Sequence, residues 1–147
     1  MNIIQVTTEH LEDLVSLFDA YRIFYEQDSN KEAAKKFLAN RITKNESVIY
    51  MAYIDTVAVG FTQMYPSFSS VSMNRIYVLN DLYVDKNYRK KGVGSALLNK
   101  AKELCKEKNY KGVGLQTGIE NPAQFLYESL GWEKEPYFDY FWTNKQA

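Results

Sequence analysis

The sequence predicts a single mixed α/β domain, a sheet flanked by helices. Three observations carry that expectation. Runs rich in branched and aromatic residues, of strand length, alternate with stretches of helical periodicity. Two central apolar runs are joined by a tight turn, which makes them antiparallel, while a long amphipathic helix later separates two strands and so makes those parallel. At 147 residues with 46% hydrophobic content, the chain can bury a core without a metal or disulfide staple, and residues 1–147 read as one domain.

The elements follow in order. "IIQV" reads as a short first strand. Leu11, Leu14, Val15, Phe18 and Tyr21 fall at helical spacing. A second helix restarts in "DSNKEAAKKFLANRI", where Ser29 and Glu32 have capping-box spacing and Ala33, Phe37 and Leu38 offer a buried stripe. "SVIYMAYIDTVAVGFTQMYP" reads as two strands about a turn at Asp55-Thr56, and "MNRIYVLNDLYV" as a third long strand. Leu97, Leu98, Ala101, Leu104 and Cys105 mark an amphipathic helix. "GVGLQT" is a short strand. "NPAQFLYESLG" is a short helix that Asn121 can cap, Pro122 can open and Gly131 can stop. "PYFDYFWT" reads as a final strand, and equally as a surface for a second subunit.

Charge narrows the function classes. Eighteen basic and 18 acidic residues cancel, which argues against a general nucleic-acid binder. The balance is uneven along the chain. Residues 86–111 hold nine Lys/Arg against Glu103 and Glu107, whereas residues 1–30 hold six acids against Arg22. One segment should attract anions, and others a cation. No run approaches the ~20 apolar residues of a membrane span, and the N-terminus carries no signal-peptide pattern. Cys105 is the single cysteine, so no internal disulfide can form. A cytoplasmic protein is expected. His10 is expected to face solvent, Cys105 to be a buried small hydrophobe, and no Cys/His cluster has metal spacing.

The most informative stretch is "LNDLYVDKNYRKKGVGSALL", residues 79–98. Arg89, Lys90, Lys91, Gly92, Val93, Gly94 and Ser95 lie where a strand hands over to a helix. N–H groups at a helix start lack intrahelical partners, and glycines let an anion approach them. Cations add charge-assisted hydrogen bonds. The combination suits a diphosphate; the alternative is a glycine-eased turn beside a solvated basic face. A Walker loop is absent, and Leu97 stands where a dinucleotide fingerprint needs its third small residue.

Arg89-x-x-Gly92-x-Gly94 resembles the central motif of the GCN5-related N-acetyltransferase family, and the preceding "LNDLYVD" resembles that family's fourth strand. "NPAQFLYESLGW" is similar to its second motif through Asn121, Ala123, Phe125, Tyr127 and Gly131-Trp132. Lys86 departs from a proline common there. Within the family the chain looks like the branch of small histone and polyamine acetyltransferases. The resemblance, which spans the whole chain, implies a mostly antiparallel sheet with a V-shaped splay between strands 4 and 5. It also implies acetyl-CoA as cofactor. The pyrophosphate is expected on residues 89–95, the pantetheine arm along Leu82, Tyr83 and Val84, and a further cofactor contact at Asn121.

The implied reaction is acetyl transfer to a primary amine, either a small molecule, a polyamine or a lysine side chain. The alternative is an inactive acyl-CoA-binding module. The reaction needs a neutral amine, so an ammonium must lose a proton, and the departing thiolate benefits from gaining one. By analogy Tyr127 is the expected acid, and the Val84 N–H the expected donor to the carbonyl oxygen. Asp81, on the same face as Tyr83, is a candidate base or amine ligand, with a water chain as the other route for the proton. Tyr21, Arg22, Tyr25, Ser67 and Phe68 are expected around the acceptor. Glu128, Glu133, Glu135 and Asp139 join the acidic N-terminal third as features suited to a cationic amine. A homodimer is expected by family habit, with no nucleic-acid or membrane partner.

Overall fold

The computed structural model describes residues 1–147. Its elements are β1 (Asn2–Gln5), α1 (Leu11–Phe24), α2 (Lys31–Thr43), β2 (Val48–Ile54), β3 (Val57–Ser69), β4 (Asn74–Val84), α3 (Val93–Lys108), β5 (Val113–Leu115) and α4 (Ala123–Ser129). The five strands lie in sequence order in one sheet. The first four are antiparallel, and β5 runs parallel to β4 after the α3 crossover.

Strand alternation divides the core into two layers. Ile49, Met51 and Phe61 face α1 and α2, meeting Leu14, Phe18 and Leu38. Tyr50, Ala52, Val59, Met64 and Leu79 face α3, meeting Val93, Leu97, Leu98 and Ala101. Cys105 is buried on the α3 stripe, as its spacing predicts. His10 closes a short 3-10 turn, its Nδ1 accepting from the Thr7 N–H.

Two bulges break the alternation. Ala52 pairs with Gly60 and Tyr53 with Ala58, so Val59 is the extra residue in β3. Gln63 pairs with Asp81 and Met64 with Leu79, so Asn80 is the extra residue in β4. The Asn80 bulge has two consequences. Leu79 faces α3 while Asp81, two places on, faces α1. The same bend coincides with the end of the β4–β5 ladder, whose last pair is Leu79–Leu115. Beyond it the two strands separate, which is the expected splay.

Four sequence expectations change. The buried stripe of the second helix is Ala34 and Leu38, and Ala33 and Phe37 are exposed. The second helix begins on Asn30, whose Oδ1 accepts from the Ala33 N–H, rather than on Ser29. Ser29 instead donates to Asp19, a buried carboxylate of α1 that also accepts from the Asn30 N–H. Ser67 and Phe68 belong to β3, not to a loop, because the β3–β4 ladder runs on to Ser69 and Asn74. "PYFDYFWT" forms no strand: no neighbouring edge within the chain takes up its backbone groups.

Asp19 therefore ties the first two helices together. Asp19→Ala should cost about 2–3 kcal/mol in urea denaturation at neutral pH, since both lost hydrogen bonds involve a charged acceptor. The Ser29 hydroxyl is the main influence holding this carboxyl below its ordinary pKa. The tie is then fully present above about pH 4 and fades as pH falls through the lowered value, so the gap between wild type and variant should close in acid.

Candidate active site

The splay opens into a cavity of about 450 Å³ between β4, β5, α3, α4 and the end of α1. On its β4 side the exposed backbone follows from the ladder. The Asp85 N–H donates to the Val59 carbonyl, which places the Tyr83 backbone groups toward β3 and those of Leu82 and Val84 toward the splay. Leu82 and Val84 therefore carry the open edge. Tyr83 contributes its ring to the α1 side, packed against the Phe61 layer.

At the start of α3 the backbone turns through Lys90 (φ 62) and Gly92 (φ 81), left-handed conformations of which the second suits only glycine without strain. No side chain caps the helix, so the first N–H groups are left for a ligand. At Gly94 a Cβ would already sit 3.6 Å from the Leu126 side chain; anything larger would fill the gap between α3 and α4. Arg89 donates from Nε to the Val84 carbonyl at 3.0 Å, which fixes its guanidinium at the mouth with the outer nitrogens free. Lys90, Val93 and Ser95 line the cavity, whereas Lys91 does not: its ammonium lies over the Tyr88 ring. A helix N-terminus beside an open strand edge fits a diphosphate joined to a peptide-like arm.

On the far wall, Asn121 Oδ1 accepts from the Ala123 N–H at 2.9 Å, so its oxygen is engaged just before α4 and its Nδ2 is left for a ligand. Tyr127 lines the cavity from α4. Burial, and secondarily Tyr25, pushes its phenol pKa upward, so it stays protonated.

Asp81 lies one layer beneath. It is 3% exposed, and its two oxygens accept from Gln63 Nε2 at 2.5 Å and Asn80 Nδ2 at 2.8 Å. Burial raises its pKa against the opposing pull of those bonds. Asp81 does not itself line the cavity. The Tyr21 hydroxyl covers it, donating to the Asn80 carbonyl at 3.3 Å and lying beside the Asp81 carboxylate. Burial first, then that carboxylate, raises the Tyr21 pKa strongly.

Tyr21 and Tyr25 meet edge to face in the cavity wall, joined by Phe24. The other expected acceptor contacts are elsewhere. Arg22 donates to the Asp28 carbonyl, away from the cavity. Phe68 is 68% exposed on the far end of the β3–β4 hairpin, under the Arg75 guanidinium. The acidic groups are dispersed as well: Glu12 pairs with Lys35, Asp13 accepts from Tyr53, and Glu128, Glu133, Glu135 and Asp139 are exposed outside the cavity. Sequence reading missed Gln63, Asn80 and Phe24. Asn80 adjoins Asp81 and Phe24 adjoins Tyr25, but only the bulged ladder brings Gln63 to Asp81.

The model of the acetyltransferase (GNAT) family matches residues 11–132. The chain belongs to that family. An uncharacterised N-acetyltransferase of Bacillus subtilis (strain 168), YhfO, is 43% identical over 148 residues, covering 100% of this chain and 99% of the relative. A crystal structure of a probable acetyltransferase superposes with a TM-score of 0.91 at 40% identity, covering 98% of this chain and 97% of the other. The aminoglycoside N-acetyltransferase AAC(6′)-Iy, solved in complex with CoA, shares the fold with a TM-score of 0.82 at 19% identity, covering 97% and 93%. This GNAT protein is accordingly an acyltransferase of class 2.3.1 with acetyl-CoA as cofactor. The uncapped α3 start, the Gly94 gap and the open Leu82–Val84 edge fit that group.

Proposed function

We propose that the chain transfers the acetyl group of acetyl-CoA to a primary amine by direct attack on the thioester. The observation that carries the reading is one cavity joining an anion cradle, an open strand edge and Tyr127, with a buried carboxylate behind a tyrosine in its floor. Bound acetyl-CoA supplies an activated carbonyl carbon. The Val84 N–H faces the splay, where it can donate to an oxygen gaining charge. Tyr127, held protonated by burial, gives a proton to sulfur as the carbon–sulfur bond breaks. An amine that arrives as an ammonium first gives one proton through the Tyr21 hydroxyl to Asp81; the neutral amine then attacks the carbonyl carbon, and the second proton it sheds as the carbon–sulfur bond breaks replaces the one Tyr127 gave to sulfur. The raised Asp81 pKa makes that carboxylate a better proton acceptor than an ordinary one.

The aromatic wall and the single carboxylate suit an amine that arrives as a cation, such as a polyamine or lysine side chain. The lone cysteine favours a reducing, cytoplasmic setting. Release of free CoA thiol measured across spermidine, lysine peptides, amino acids and aminoglycosides tests the reading. At least one amine should raise release far above the rate in water. Acetyl-CoA binding without amine-dependent release from any of them would instead support a binding module.

A further inference from the structure

Half of the Gln63 amide is unused. The side chain is 0% exposed on β3, and the residue pairs with Asp81 across the ladder. Its Nε2 donates to Asp81 Oδ2 at 2.5 Å, while its Oε1 is buried with no donor to meet it. Folded chains rarely leave a buried acceptor unpaired. The other polar neighbours of Asp81 are engaged or wet. The Thr62 hydroxyl donates to the Asp81 backbone carbonyl, and the Tyr21 hydroxyl to the Asn80 carbonyl. Asn80, which donates to Asp81 Oδ1, is exposed to water.

The orphan oxygen acquires a purpose when Asp81 takes a proton. A carboxylate only accepts hydrogen bonds, whereas a carboxylic acid must also donate one. The two N–H donors that face Asp81 cannot receive that hydrogen. Gln63 Oε1 can, after a half turn of the amide about a torsion with two nearly equivalent settings. We propose that Gln63 is the positioning residue for proton transfer at Asp81: its nitrogen donates to the carboxylate, and its oxygen turns in to accept from the acid. The hydrogen then rests on Asp81 Oδ2, and Oδ1 goes on accepting from Asn80. This inference rests on the reading of Asp81 as the acceptor of the amine proton. The surrounding charges leave the pair undisturbed. Tyr21 faces it from α1, and Tyr65 from β3 with the Arg41 guanidinium of α2 beside it. Burial holds both phenols protonated, Tyr65 pushed up to about 12. None of those three groups changes charge below about pH 10, and Glu46 meets only Arg41, at 3.0 Å.

Nuclear magnetic resonance of isotope-labelled aspartate, with Asp81 isolated by difference against Asp81→Asn, reads the carboxyl directly and without turnover. Gln63→Met keeps the bulk and loses both hydrogen-bonding ends. Its midpoint should rise by roughly one pH unit, because a bond to the charged form is worth more than one to the neutral form. The acid limb of kcat/KM should rise with it, while KM for acetyl-CoA stays unchanged, since Gln63 does not line the cavity. Neutron diffraction from wild-type crystals held above and below the midpoint reads the turn with no variant at all. Nitrogen should face Asp81 above it, and oxygen below it. An unmoved midpoint in Gln63→Met overturns the proposal, as does an amide with nitrogen toward Asp81 on both sides of the midpoint. Failure of the underlying reading looks different: midpoint and amide respond as stated, yet Asp81→Asn keeps the acid limb.

Discussion

Asp81→Asn should lower kcat/KM by on the order of 100-fold and remove the rising acid limb of the pH–rate profile. The fold should tolerate the change. In the wild type Gln63 Oε1 is buried without a partner while Gln63 Nε2 donates to the carboxylate. A turn of the Gln63 amide would let that orphan oxygen accept from the amide that the substitution introduces. The stability effect has a definite sign. Burial dominates the pKa of Asp81 and raises it, so the folded state holds this proton more tightly than the unfolded chain. The group's contribution to stability is therefore greatest in acid and is lost as pH rises through the raised value. Above that value the charged form is a cost which asparagine does not carry. The variant should melt at or above the wild-type temperature at neutral pH while being far less active. A carboxylate with a purely structural role would give the reverse, a lower melting temperature with an unmoved pH profile, and that result would remove Asp81 from the chemistry.

The placement of Asp81 shows where sequence reading stops. Its alternation with Tyr83 is legible and correct, because no bulge lies between them. Its relation to Leu79 is not, because the Asn80 bulge shifts one residue between them and nothing in "VLND" announces it. That shift puts the carboxylate under α1 rather than α3, where Tyr21 and Gln63 bury it. The glycine turn is readable for the opposite reason. Arg89, Gly92 and Gly94 lie within one local turn, and spacing along the chain is the information needed to find it. Phe68 fails on distance: it lies on the same strand as Gln63, five residues further along a hairpin that carries it away from the cavity. The final aromatic run has the composition of a strand, yet pairing is a property of two edges, and sequence names only one of them.

Tyr127→Phe is the complementary experiment, with an expected fall in kcat on the order of 100-fold and little change in KM for acetyl-CoA. Phenylalanine keeps the ring against the α3-side core, where Leu126 and Leu130 also pack. The hydroxyl's pKa is governed by burial and by Tyr25, with no hydrogen bond among its causes, so its loss should leave the melting temperature nearly unmoved. The pH profile separates the two roles. Tyr127 is pushed above its ordinary value of about 10, so it remains protonated over the whole working range. Its removal lowers the plateau without deleting a limb, whereas Asp81→Asn deletes the limb. If both substitutions lower the plateau equally and leave the limb in place, neither group carries the titration, and the limb belongs to the amine. If Tyr127→Phe leaves kcat unchanged with an acceptor whose chemistry limits the rate, sulfur departs without a proton from this residue, and Tyr127 is only part of the wall.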